Sequence, residues 1–216
     1  SIQNINLTQK YNNNYGIYIN NSDNIYISNI NINSFSEEQS YGIEITKCNN
    51  VNIIDVLINI YKGKYKFGIF GVTKSQNNIF VNNSKINIFN ADDYCWGIAT
   101  GINIKIINNI FNISGSNSGA IALSGNAEIT NSYFYLNENI NEINGIMMHF
   151  CTDSIIQNSS FYSRGSNINI VKSLGATQNI TFKNIKIINN SSCKNIIKAN
   201  SCRIKIENIT INRPVK

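Results

Sequence analysis

The sequence predicts an all-β protein in which short parallel strands wind into one solenoid. Three observations predict this fold class: a repeat of about 25 residues, alternation of apolar and polar residues inside each repeat, and an excess of Ile and Asn. Repeats of this length indicate stacked structural units. Because β-branched Ile favours strands and Asn competes with the hydrogen bonds of a helix, we expect the units to be built from strands.

The first element of the repeat is a polar position that has apolar residues two places before it and three places after it. Nine positions share this pattern: Asn4, Asn29, Asp55, Asn83, Asn108, Asn131, Asn158, Asn184 and Asn208. Their spacing runs from 23 residues, between Asn108 and Asn131, to 28 residues, between Asp55 and Asn83. The repeat continues from end to end, so we predict one domain over residues 1–216 with about eight coils of 23–29 residues. Since the chain begins at Ser1 rather than Met, we expect a longer chain at its N-terminal end.

The second element is a strand of the pattern Gly-Ile-x-Ile, as in residues 16–19 and 42–45. It predicts three strands in each coil and therefore three short parallel sheets, with the apolar partners of each Asn and the Ile that follows each Gly in the core. Alternation counted from Ile17 places Gly16 and Tyr18 on the outside and Tyr15 on the inside. The same count favours an inward stack for the equivalents of Tyr15, with an exposed sugar-binding column as the alternative; these equivalents are Tyr41, Phe67 and Trp96.

This pattern resembles the single-stranded right-handed parallel β-helix of the pectin-lyase-like superfamily, which also includes phage tailspikes. The resemblance rests on the two repeats just described. In that family an inward Asn often occupies the bend between the second and third strands of a coil. The resemblance thus implies that the nine polar positions form an inward asparagine ladder, while it says little about activity because the fold hosts many functions.

Candidate catalytic residues follow from the same resemblance, because polysaccharide-cleaving relatives bind substrate along the outside of the first sheet. Glu44 is the one acid predicted there, and Asp92 and Asp93 precede Trp96 at the predicted edge of that groove. A glycoside hydrolase needs two carboxylates that flank one bond. A calcium-dependent lyase needs several oxygen ligands, so calcium is expected only if the chain is a lyase, and no other cofactor is indicated. A second candidate is His149 with Asp153 as a general base.

Candidate ligand-binding residues are of two kinds. Tyr18 and Phe70 are predicted to be exposed aromatic side chains. The second kind is basic and lies on the last coils: Lys183, Lys186, Lys198, Arg203 and Lys205. Nine Lys and Arg residues lie between Lys172 and Lys216, against Glu207 as the single acid. These residues predict either a surface for a glycan or acidic polysaccharide, or an ordinary solvated set of lysines.

Other features narrow the class of function. No apolar run is long enough to cross a membrane. The five Cys are scattered without metal-binding spacing, which favours free, partly buried thiols. Nucleic acid is disfavoured as a partner because no recognition motif is present. The leading hypothesis is an extracellular domain, or one on a cell or virion surface, that binds glycans or serves as a scaffold. A polysaccharide lyase or hydrolase of the tailspike or pectinase type and a self-stacking structural protein, trimeric or end-to-end, are the alternatives.

Overall fold

The protein is a parallel β-solenoid of about seven turns, and the fold class is confirmed. The computed structural model describes residues 1–10, 14–72, 78–101, 103–138, 142–175, 179–189, 195–199 and 202–212. The described residues contain strands, turns and bends but no helix, and hence no helix that is long and apolar enough to cross a membrane. Strands of neighbouring turns pair in parallel throughout.

One sheet contains eight strands and forms the first face of the solenoid. With strands numbered in chain order, these are β2 (Asn14–Asn20), β4 (Ser40–Thr46), β6 (Lys66–Val72), β9 (Trp96–Thr100), β12 (Ser118–Leu123), β15 (Ile143–His149), β18 (Ile168–Leu174) and β20 (Asn195–Ala199).

The other sheet contains thirteen strands and forms the second and third faces. These are β1 (Ile2–Gln9), β3 (Asp23–Ser34), β5 (Asn49–Lys64), β7 (Asn78–Asn82), β8 (Lys85–Asp93), β10 (Asn103–Ile107), β11 (Ile110–Gly115), β13 (Ala127–Thr130), β14 (Tyr133–Glu138), β16 (Ile155–Gln157), β17 (Ser160–Arg164), β19 (Ile180–Asn189) and β21 (Ile204–Asn212). Long strands such as β5 and β19 pass through the bend between the two faces. The structure therefore has two sheets where the sequence predicted three.

The core follows the predicted columns. In β3, Ile27 and Ile32 are fully buried, as are their partners Ile53 and Ile58 in the next turn. In the middle turns one column becomes aromatic, and the rings of Phe111, Phe134 and Phe161 stack with centroids 5.0 and 4.4 Å apart. Burial decreases toward the last described turn, where Ile206 and Ile211 are about half exposed (55% and 46%).

Hydrogen bonds between neighbouring turns link several of the nine repeated polar residues as rungs of a ladder, but their direction corrects the expectation of an inward one. Asn29 Nδ2 donates to Asn4 Oδ1 at 3.2 Å, and Asn208 Nδ2 donates to Asn184 Oδ1 at 3.1 Å. All nine side chains are nevertheless exposed. The inward polar column lies one residue later and includes Ser84, Asn109, Ser132 and Ser159.

The outward direction has a backbone cause. All nine residues have positive φ, between 49° and 56°, which is the left-handed region. Asn and Asp enter this region more readily than other non-glycine residues. One left-handed residue interrupts the two-residue alternation of a strand, so the residue before the bend and the residue after it can both face inward. Asn is therefore repeated here for its backbone conformation as much as for its amide.

This explanation predicts the effect of substitutions at Asn184, which donates to Asn158 Oδ1 at 2.9 Å. Asn184→Ala and Asn184→Gly remove the same amide, but only Ala strains a left-handed backbone. We expect Asn184→Ala to be less stable than Asn184→Gly by about 1 kcal/mol, measured by urea unfolding. In an ordinary strand the order is reversed, because Gly is the less stable of the two. A more stable Ala variant would contradict the explanation.

The outer face of the eight-stranded sheet also differs from the prediction. The glycines of the Gly-Ile repeat face the core, since a Cβ built on Gly16 would lie 3.2 Å from Ile32 Cδ1. Tyr15 and Tyr18 both lie on the outer face, because Gly16 and Ile17 between them both face the core and alternation is interrupted there. The equivalents of Tyr15, which were expected inside, therefore cover the outside of the sheet. In β18, Val171 pairs with the core residue Ile146 and is buried, and Lys172 pairs with Met147 on the outer face.

Candidate functional site

An aromatic surface covers the first four turns of the eight-stranded sheet. It consists of Tyr15, Tyr18, Tyr41, Phe67, Phe70, Tyr94 and Trp96. Tyr41, Phe67 and Trp96 pack with Ala99 into an apolar cluster that is separate from the core. The parallel register of β2, β4, β6 and β9 pairs equivalent aromatic residues of successive turns, and this pairing assembles the surface.

The rings of the aromatic surface form two rows. In the inner row, Tyr15, Tyr41 and Phe67 stack nearly parallel, with centroids 5.1 and 5.4 Å apart, so neighbouring rings cover most of their faces. The outer row contains Tyr18 and Phe70, which are tilted by 45° and 43° against the inner row. Tyr18 is about half exposed, at 52%. Tyr41, Phe67 and Trp96 are buried, so the outer row, together with the exposed Tyr15 and Tyr94, is the part of the surface that a ligand can reach.

A groove of about 580 Å³ continues from the aromatic surface along the same sheet. Its floor consists of small or flexible side chains, Ala99, Ala122 and Met147, and Phe70 and Trp96 line its aromatic end. Gly119 is required beneath Trp96, because a Cβ at this position would lie 2.3 Å from the indole ring. Clefts of this volume with a mainly apolar lining are typical of ligand sites.

Beyond the groove the sheet becomes polar. The residues equivalent to Trp96 in the following turns are Gly119, Asn144, Asn169 and Asn195. Asn169 Nδ2 donates to Asn144 Oδ1 at 2.9 Å, and Asn195 Nδ2 donates to Asn169 Oδ1 at 2.7 Å. The outer side of this sheet thus has aromatic rings at one end and an amide ladder at the other, in which Asn144 and Asn169 are buried.

The predicted carboxylates do not converge on this face. Glu44 lies in the outer row between Tyr18 and Phe70, where Thr46 Oγ1 donates to it at 3.2 Å. Burial raises the pKa of Glu44, and the hydrogen bond from Thr46 partly offsets this effect. Asp92 and Asp93 lie at the end of β8, at the edge of the sheet, and neither contributes to the pKa shift of Glu44. Within the described ranges no three His, Cys, Asp or Glu side chains are grouped as a metal site.

The predicted pair of His149 and Asp153 is separated as well. His149 lines the groove and packs edge-on against Phe150, with ring centroids 4.8 Å apart. Asp153 accepts a hydrogen bond from Asn179 Nδ2 at 2.9 Å and lines a different depression, on the thirteen-stranded sheet. His149 therefore belongs to the candidate site, whereas Asp153 does not.

The five predicted basic residues lie on different faces of the last turns. Lys198 is on the eight-stranded sheet, Lys183 and Lys205 are on the second face, and Lys186 is on the third. Arg203 is exposed just before β21. Glu207 pairs with Lys205 at 2.6 Å and lies 3.8 Å from Lys183. The structure does not bring these side chains together as one cationic surface.

The described cysteines are free, as predicted, and Cys193 lies outside the described residues. Cys95 and Cys151 are fully buried, and burial raises the pKa of each thiol to about 11. A thiol with a raised pKa carries little thiolate at neutral pH, so neither is suited to act as a nucleophile.

The sequence identified the aromatic column Tyr15, Tyr41, Phe67 and Trp96 but favoured the wrong side for it. Tyr18, Phe70 and Glu44 were placed correctly on the outer face, whereas this column was favoured inside, with a sugar-binding surface as the alternative. Gly16 and Ile17 both face the core, so alternation counted from Ile17 across Gly16 gives the wrong side for Tyr15.

Comparisons with known proteins found no family model, no curated protein and no solved structure that matches this chain.

Proposed function

We propose that this chain is an extracellular or surface β-solenoid domain that binds glycans along the outer face of its eight-stranded sheet. The observation that carries the proposal is the aromatic surface, which leads directly into an open groove of about 580 Å³ on the same face. Aromatic rings cover the apolar faces of sugar rings, and hydroxyl groups then find partners among nearby polar side chains. Ser124 and His149 line the groove and can act as such partners.

Binding rather than catalysis is favoured by the same geometry. Glu44 stands apart from Asp92 and Asp93, and His149 stands apart from Asp153. A hydrolase of the two-carboxylate kind requires both groups at one glycosidic bond. The solenoid supports binding well, because its stacked rungs hold the aromatic rings at fixed spacings and little order has to be gained when a ligand binds.

A binding experiment with paired variants tests the proposal. Tyr18→Ala with Phe70→Ala removes the exposed outer row, and we expect it to weaken binding to a glycan at least about tenfold, as loss of central aromatic contacts does at other interfaces. Tyr133→Ala is the matched control, since Tyr133 is similarly exposed (45%) but lies on the thirteen-stranded sheet. A glycan array would identify the ligand, and calorimetry would measure its affinity. Equal losses in both variants would count against this face.

A further inference from the structure

The charged side chains around the aromatic surface are mainly carboxylates. Glu44 lies within the surface itself, next to Tyr18 and Phe70 in the register of the sheet. Four further carboxylates lie at the edge where each turn enters the eight-stranded sheet: Glu37, Glu38, Asp92 and Asp93. Exposed lysines described along this edge are Lys10 and Lys64, and Lys47 is exposed at the opposite edge.

Lysines lie at the edges of the aromatic surface rather than among its exposed rings. Lys10, Lys47 and Lys64 are exposed at the edges of the sheet. Lys66 is fully buried, and its Nζ donates to the backbone carbonyls of Ser36 and Tyr61. Lys172, on the polar half of the sheet, is held by Glu142 in a half-buried ion pair. Within the outer row itself, between Tyr18 and Phe70, the charged side chain is Glu44.

We infer that the aromatic surface takes neutral glycans and that Glu44 is a specificity-determining residue, which excludes glycans that carry carboxylate groups. This inference rests on the proposed function and differs from the acidic polysaccharide that the basic C-terminal sequence suggested. Glu44 acts by repulsion. Neighbouring strands are about 4.8 Å apart, so a sugar that contacts Tyr18 or Phe70 comes within a few ångströms of its carboxylate.

Because of its position between the rings, the charge of Glu44 acts more strongly on a ligand than the charge of a fully exposed acid. The side chain is half-buried between rings, where its charge is less screened by water than on an open surface. A second carboxylate brought beside it would lose hydration next to a like charge, and Lys172 and Lys66 are already engaged elsewhere. Specificity of this kind arises from a penalty on the wrong ligand rather than from extra affinity for the right one.

The test uses hexasaccharides of glucose, galactose and mannose, each paired with the same hexasaccharide oxidised at C6 to the uronic acid. The two members of a pair differ in charge but share linkage and length. Wild type is expected to bind at least one neutral member and to bind its oxidised counterpart more weakly. Glu44→Gln keeps an acceptor for Thr46 and should raise the ratio of affinities, oxidised over neutral, about tenfold at low salt.

Glu128→Gln is the matched control, because it removes one exposed carboxylate from the thirteen-stranded sheet. It should leave both affinities unchanged, and added salt should reduce the effect of Glu44→Gln. If wild type binds the oxidised member as tightly as the neutral one, or if Glu44→Gln leaves the ratio of affinities unchanged, the inference is overturned while the proposed function stands. If no hexasaccharide binds, both are overturned.

Discussion

Replacement of Ile106 by Asp is expected to unfold the solenoid. Ile106 is fully buried in β10, between Val81 of the preceding turn and Ile129 of the following one. An aspartate here would place an unpaired charge in an interior where its neighbours are apolar side chains. Substitutions of this kind cost at least about 4 kcal/mol, a large part of the 5–15 kcal/mol that stabilises a typical domain. Far-UV circular dichroism and limited proteolysis would show the loss of the folded state.

Two control variants make this prediction specific to burial. Ile106→Val keeps the apolar character and should cost only about 0.5–1.5 kcal/mol. Lys105→Gln changes the adjacent residue, which points outward and pairs with Glu128 at 2.9 Å, and should be neutral within about 0.5 kcal/mol. If Ile106→Asp unfolded at the same urea concentration as Lys105→Gln, residue 106 could not face the core.

The sequence was sufficient to predict the coil and most of its core. Apolar residues two places before and three places after each Asn recur too regularly to serve anything but stacking, and Ile27, Ile32 and their partners are buried as expected. The register between turns followed directly, because equal repeats place equal residues side by side. In this part of the molecule the periodicity of the sequence and the periodicity of the fold are the same.

The direction of the polar and aromatic columns was harder to predict, because it depends on single backbone angles. Two buried residues five positions apart, such as Ile27 and Ile32, cannot face the same side of an uninterrupted strand. One reversal must lie between them, and the left-handed Asn29 supplies it. The five-residue spacing of the apolar positions already indicated this reversal, whereas the resemblance to the β-helix family implied an inward ladder. At Gly16 and Ile17 two successive residues face the core without a left-handed residue, so Tyr15 lies outside, and the candidate site was therefore only partly foreseen.

Gly68→Ala tests which side of the eight-stranded sheet the repeated glycines face. A Cβ at Gly68 would lie 2.5 Å from the carbonyl oxygen of Gly97 and 3.0 Å from Ile86 Cγ2, and neither a paired backbone nor a packed core side chain can move away easily. Because the φ of Gly68 lies outside the left-handed region, the effect would come from this contact and not from backbone strain. We expect a loss of about 2–3 kcal/mol in urea unfolding, at the upper end of the range for overpacked cores.

Gly101→Ala is the control, since nothing lies within 4 Å of the added methyl group. If the glycines faced solvent, as alternation from Ile17 predicts, the two variants would be equally stable, because an added methyl group in open space meets no resistance. A large difference between them would show that the glycines face the core and that Tyr41, Phe67 and Trp96, which precede Gly42, Gly68 and Gly97, are therefore free to build the outer surface.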